Sequence, residues 1–167
     1  MQIRTNDGQV MYEGEFRQLH PSTSFPQQIS EATLNDFGAD VVFEGPQASG
    51  GTVYQYSQAA GVEQLDGKWY TKYILGPVFT DTPATDTTPA QTAAEQETAY
   101  KASKDAEQAK SVRTSRDDKL KDCDWTQLDD TPLSNTVKAT WAIYRQALRD
   151  VTTQAGFPWT ITWPDAP

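Results

Sequence analysis

"CDWTQLDDTPLSNT" (residues 123–136) is the stretch that decides how the second half of this chain folds. Within it, "TPLSN" stops one helical segment and starts another, with Ser134 as the N-cap of the second. The segment that follows carries Val137, Trp141, Tyr144, Leu148 and Val151. Spacings that alternate four and three put these on one apolar stripe of a helix. Gly156 and Pro158 end that helix. "FPWTITWPDAP" (157–167) is expected to run extended, with Phe157, Trp159, Ile161 and Trp163 alternating on one side. Four of the five tryptophans, Trp125, Trp141, Trp159 and Trp163, lie from residue 125 onward. Trp125 is therefore read as closing an aromatic cluster between the end of one helix, the next helix and the folded-back tail. Each buried aromatic removes about 150–250 Å² from water, so such a cluster stabilises a small hairpin by several kcal/mol. In a second reading some of these side chains, Trp125, Trp141, Tyr144, Arg145, Trp159 and Trp163, face a partner protein, since Trp, Tyr and Arg dominate interface hot spots.

Upstream, residues 90–122 are rich in Ala, Glu, Lys and Gln and contain no Gly or Pro, which predicts a long helix. Glu97–Lys101, Lys101–Asp105, Arg113–Asp117 and Asp117–Lys121 place opposite charges one turn apart, each pair contributing about 0.2–0.5 kcal/mol. Ala99, Ala102, Ala106 and Ala109 form a narrow small-residue seam. The helix is either a solvated spacer or a stem that self-associates through that seam. "GPVFTDTPATDTTPA" (76–90) reads as a Pro/Thr linker of extended chain, with Pro89 in the first turn of the helix.

Residues 1–80 read as a small β-rich unit. "TNDGQ" (5–9) marks a turn between short strands. "ISEATLNDFG" (29–38) is a short helix with Ser30 as N-cap, Ile29 and Leu34 at staple spacing and Gly38 as the left-handed stop. "DVVFEGP" (40–46) and "TVYQYS" (52–57) are strands, and "GVEQLDGKWYTKYIL" (61–75) is a hairpin around Asp66-Gly67. Apolar residues on both faces of its second strand predict an interior position. The expected architecture is α+β: a β-rich module over 1–80, a linker over 81–90, a charged helix over 91–122, and a helical hairpin with an aromatic tail over 123–167.

Composition narrows the function classes. The 167 residues carry 14 Lys and Arg against 23 Asp and Glu, a formal net charge of −9. An acidic chain argues against a nucleic-acid partner, which needs clustered bases. No apolar run approaches the length of a membrane span. The first residues lack the apolar core of a signal peptide, so the chain is expected in a cytosol. His20 is the single histidine and lies in a turn-like context, which leaves no His-based metal set or catalytic triad. Asp117-Asp118 and Asp129-Asp130 are neighbours in sequence and do not face each other across a cleft, as a glycosidase pair must. "GPQASGG" (45–51) lacks the lysine of a phosphate loop. No catalytic residue, cofactor or metal is expected. Cys123 is the only cysteine. Acids on both sides disfavour its thiolate, so it reads as a small packed residue near Trp125. The alternative is an intermolecular disulfide to a partner.

The C-terminal motifs also resemble a known family. Arg116, Asp117 and Leu120, then Asp124, Trp125, Thr126, Gln127 and Leu128, then Pro132 and Leu133 follow one another in its order. Trp141, Tyr144, Arg145, Leu148, Arg149, Asp150, Phe157, Pro158, Trp163 and Pro164 complete the series. Together they resemble the C-terminal module of the phage tail assembly chaperone family, small proteins associated with the tail fibres of bacteriophages. Residues 20–46 with "VEQLDGKWYTKY" are similar to an N-terminal module of phage virion proteins. The resemblance implies a non-enzymatic tail protein, a structural component near the tail fibre or baseplate that engages other tail proteins. The alternative it implies is an assembly chaperone that leaves before the virion is complete. The implied location is the host cytoplasm during assembly and the virion tail afterwards.

Overall fold

The computed structural model describes all residues, 1–167. The chain is mixed α+β and divides into two compact units, Met1–Val78 and Phe79–Pro167.

The first unit is a five-stranded sheet. Its strands are β1 (Gln2–Thr5), β2 (Val10–Tyr12), β3 (Ala39–Phe43), β4 (Tyr56–Leu65) and β5 (Lys68–Gly76), in the order β2-β1-β3-β5-β4. Only β3 and β5 pair in parallel. Two short helices, α1 (Glu13–Leu19) and α2 (Glu31–Asp36), contribute Phe16 and Leu34 to a core with Ile3, Ile29 and Ala39. The turn at "TNDGQ" has Gly8 at φ +89°, a left-handed conformation that glycine adopts without penalty. Ser30 Oγ accepts from the Thr33 N–H at 3.1 Å, and Ile29 and Leu34 are both buried, so the cap and staple form as the sequence predicts. Asp66 (φ +47°) and Gly67 (φ +78°) make the two-residue turn between β4 and β5, with both φ values positive as tight hairpins require. β5 lies between β3 and β4, the interior position its apolar faces predict.

Two expectations for this unit change. "TVYQYS" is not a strand of its own. Residues 52–55 form a turn, and β4 runs on from Tyr56 as one ten-residue strand. Its ladder slips between Ala59 and Val62, with Gly61 at φ +88°, so a bulge joins what reads as two separate strands. Helix α1 is also absent from the sequence reading. It has seven residues and one buried side chain, Phe16, too few to show periodicity. Its start is held by Glu15 Oε2, which accepts from the Tyr12 N–H at 2.8 Å.

The second unit contains α3 (Ala93–Asp122) and α4 (Asn135–Asp150), joined through a 3-10 turn at Asp124–Gln127. Helix α3 starts later than Pro89 suggests. Thr92 caps it, with Thr92 Oγ1 accepting from the Glu95 N–H at 3.2 Å and Glu95 Oε2 accepting from the Thr92 N–H at 2.8 Å. The preceding segment closes on itself. Thr82 and Gln91 form an isolated antiparallel bridge, and Asp81 Oδ1 accepts from the Ala93 N–H at 2.7 Å. The chain between them is therefore a loop rather than an extended connector.

The Ala seam of α3 does not pack inward. Ala99, Ala102 and Ala106 are exposed, and Ala109 alone of the four is buried, together with Val112. Tyr100, Lys104, Gln108, Arg116 and Leu120 stand with Val112 at four-residue intervals and are half-buried. The long stems of Lys and Arg cover apolar surface while their charged ends stay wet. Of the expected charge pairs, Glu97–Lys101 forms at 2.7 Å. Asp117 pairs with its neighbour Arg116 at 2.7 Å, and Arg113 lies over the Phe157 ring.

Helix α4 begins where Ser134 Oγ accepts from the Val137 N–H and buries Tyr144 and Leu148, with Val151 beyond them. The aromatic tail departs from a simple extended run. Residues 154–160 form a tight turn, in which the Phe157, Trp159 and Thr160 N–H groups donate to Gln154 O and Gly156 O and the Phe157–Pro158 bond is cis. A Cβ on Gly156 would lie 2.0 Å from Thr160 O, so only glycine fits there. The tail that follows is pinned by the Gln154 amide. Its Nε2 donates to Thr162 O at 2.8 Å, and its Oε1 accepts from the Thr162 N–H at 2.7 Å.

Candidate functional site

The candidate site is the junction of α3, the 3-10 turn and α4. Arg145, reaching across from α4, organises it. Its Nη1 donates to Leu120 O at 2.8 Å and to Cys123 Sγ at 3.1 Å, and its Nη2 pairs with Asp124 Oδ1 at 2.6 Å. A helix ends with unsatisfied carbonyls and partial negative charge, so a cation there both caps the backbone and opposes the dipole. Thr126 is fully buried, with its hydroxyl donating to Cys123 O at 2.7 Å. The turn is thus fixed by side chains as well as by its backbone.

Cys123 is 3% exposed and packs with Tyr144 and Leu148, with Leu120, Trp141 and Trp163 around them. The Tyr144 hydroxyl is pushed above its ordinary pKa, first by burial and then by the neighbouring Cys123 and Asp122. Trp141 stands edge-on to Tyr144 with ring centroids 5.6 Å apart. Trp125 lies 6.4 Å from Trp141 but keeps 49% of its surface in solvent. It sits on the rim of the cluster rather than closing it.

Trp141, Tyr144 and Trp163 are therefore brought together with Cys123, and Trp125 borders them. Trp159 lies apart, with its Nε1 donating to Asp105 Oδ1 at 2.6 Å, midway along α3. Leu128 is 54% and Val137 39% exposed; Leu128 closes the 3-10 turn that carries Trp125, and Val137 stands one turn before Trp141 on α4. In the sequence Leu128 belongs to the motif shared with the family but is not among the expected partner-binding residues, and its exposure has no signal beyond an aliphatic residue placed among turn formers. Val137 belongs to the apolar stripe of α4, but it sits in the first turn of that helix and escapes cover.

No group of three His, Cys, Asp or Glu side chains is placed to hold a metal ion. His20 lies in the first unit among Phe16, Phe25 and Phe37, with ring centroids 4.8, 6.0 and 5.0 Å away. No helix is long and apolar enough to cross a membrane.

Residues 109–167 match the family model described as phage tail assembly chaperone protein. The match points this part of the chain to the assembly of phage tails. It begins at Ala109, the first buried residue of α3, and takes in Cys123, Tyr144, Leu148 and the rings around them. The matched segment is thus the packed end of α3 with α4 and the tail. No curated protein and no solved structure matches the chain.

Proposed function

We propose that the chain is a non-enzymatic bacteriophage tail protein, a structural component whose second unit engages another tail protein near the fibre or baseplate. The observation that carries this reading is the rim of Trp125, Leu128 and Val137, exposed apolar side chains within the segment that matches the tail assembly family. Tryptophan is among the residues that dominate interface hot spots, and neighbouring exposed aliphatics help exclude water around such an anchor. In this reading Trp125 and Trp141 make contact directly. Tyr144, Arg145 and Trp163 hold the turn that presents them, and Trp159 fixes the tail to α3. The first unit supplies a separate attachment to the tail, and the exposed Ala99, Ala102 and Ala106 of α3 are available for self-association. The chain works in the host cytoplasm during assembly and stays in the tail.

The family description favours a second reading, an assembly chaperone that covers a fibre protein while it folds and then leaves. Mass spectrometry of purified virions separates the two. Several copies per particle support the structural component, and absence from particles of a protein needed for their assembly supports the chaperone. Normal particles formed without the protein would remove both.

A further inference from the structure

The rim has a chemistry of its own, and it selects the kind of partner. Trp125 and Leu128 come from the 3-10 turn and its end, while Val137 and Trp141 stand one turn apart on α4. The Trp125–Trp141 ring contact joins the two sets. They stay together because Lys138 Nζ donates to Leu128 O at 2.7 Å and Gln127 Nε2 donates to Lys138 O at 3.4 Å. The apolar surface is thus held by bonds to the backbone rather than by its own burial.

Carboxylates outnumber cations in the chain that forms it. Between Lys121 and Lys138 the chain carries Asp122, Asp124, Asp129 and Asp130 and no Lys or Arg. Asp124 directly precedes Trp125, and Asp129 and Asp130 directly follow Leu128. Arg145 caps α3 and pairs with Asp124, while Lys138 donates to Leu128 O and keeps its charge beside the exposed carboxylates. Asp129 and Asp130 are exposed.

The geometry points to a docking surface for a basic amphipathic segment of another tail protein, with apolar anchors on the rim and Lys or Arg against Asp129 and Asp130. This rests on the partner-binding reading above and gives the partner's chemistry. A second copy of the chain is a poor occupant, because two such rims would set Asp129 and Asp130 against the same pair. Anionic membranes and nucleic acids meet the same repulsion.

Binding of fluorescently labelled helical peptides to the full-length chain tests this. One peptide carries Leu on one face and Lys on the other, a second replaces Lys with Glu, and a third replaces Leu with Ser. The Leu/Lys peptide is expected to bind about tenfold or more tighter than either control. Leu128→Ser removes an exposed side chain and should leave the fold intact, yet weaken binding by about tenfold. Asp129→Asn with Asp130→Asn should weaken it and flatten its salt dependence. Asp117→Asn with Asp118→Asn, on the exposed surface of α3, should change little. The inference is overturned if the Leu/Lys peptide fails to bind, if the Asp117/Asp118 pair matters as much as the rim pair, or if Leu128→Ser has no effect. Sedimentation showing a dimer that Leu128→Ser dissociates would assign the rim to a second copy instead. Tail assembly in infected cells, scored with the same variants, separates this idea from the broader one. Defective assembly in Leu128→Ser without peptide binding would leave a partner surface standing and reject its basic occupant.

Discussion

At the scale of single residues, the junction depends on Arg145, which touches Leu120 O in the last turn of α3, the Cys123 sulfur and the Asp124 carboxylate. Replacing Arg145 with Ala leaves Leu120 O without this donor and costs about 2 kcal/mol, as expected for charge-assisted hydrogen bonds to a partly buried site. Arg145→Lys recovers only part of this, because one ammonium cannot reproduce the planar fork. Chemical denaturation of the three proteins checks the order. Cys123 reports on the same turn. Its burial predicts slow labelling by a thiol reagent, and faster labelling in Arg145→Ala. A disulfide to a partner from this position requires the last turn of α3 to open. The folded chain is therefore expected to run at 18.6 kDa on a non-reducing gel. A larger band that collapses on reduction would show that the turn opens during assembly. Glu95 sets a pH dependence at the other end of α3. Its carboxyl is held below the ordinary value of 4.5, first by the Thr92 N–H and then by the Thr92 hydroxyl. The lowered folded-state pKa means that the cap is fully effective above that ordinary value and is lost as pH falls through the folded one. The Thr92 and Glu95 amide resonances should therefore shift toward frayed values in acid. In Glu95→Gln this step should vanish, and if it persists another carboxylate carries it.

At the scale of elements, α4 is the part most legible in the sequence. Its stripe of Tyr144 and Leu148, continued by Val151, is buried as the spacing predicts, because three aligned apolar residues have one way to leave water. Leu148 is fully buried between α3 and the tail cluster. Leu148→Ala should cost about 3 kcal/mol and loosen α4, the 3-10 turn and the tail together. Hydrogen exchange checks this, and loosening confined to α4 would mean that the tail holds to α3 by itself. Other elements are hidden in the sequence for physical reasons. The inward row of α3 is made of Tyr, Lys, Gln and Arg around Val112, residues that read as polar in sequence but bury their stems. The turn at 154–160 depends on Gly156 meeting Thr160 O and on the Gln154 side chain reaching Thr162, contacts that no periodicity encodes. The bulge in β4 hides behind Gly61, which reads equally well as the end of one strand. Of the candidate site, Trp125, Trp141 and Trp163 stand out in the sequence, whereas Trp159 lies apart. The exposed position of Leu128 does not stand out, because it follows from where Lys138 takes hold of the backbone.

At the scale of the whole molecule, the two units have separate cores, one around Phe16 and Leu34 and the other around Tyr144 and Leu148. Destabilising one core should leave exchange in the other unchanged, so Leu148→Ala should not raise the exchange rates of residues 1–78. A common rise would show that the units fold as one. The family match begins inside α3, and none of residues 93–108 is buried. That places the border of the matched segment in the middle of a continuous helix, and a helix counts its residues. Each residue inserted between Glu95 and Tyr100 advances the upstream part by about 1.5 Å and turns it by about 100°. One added residue would swing the cap and the Asp81 contact away from the face that Tyr100 shares with Phe79. Seven would restore the phase to within about 20°. This stem can therefore change length with its faces aligned only in steps close to whole turns. Related chains should differ here by three, four or seven residues and seldom by one or two.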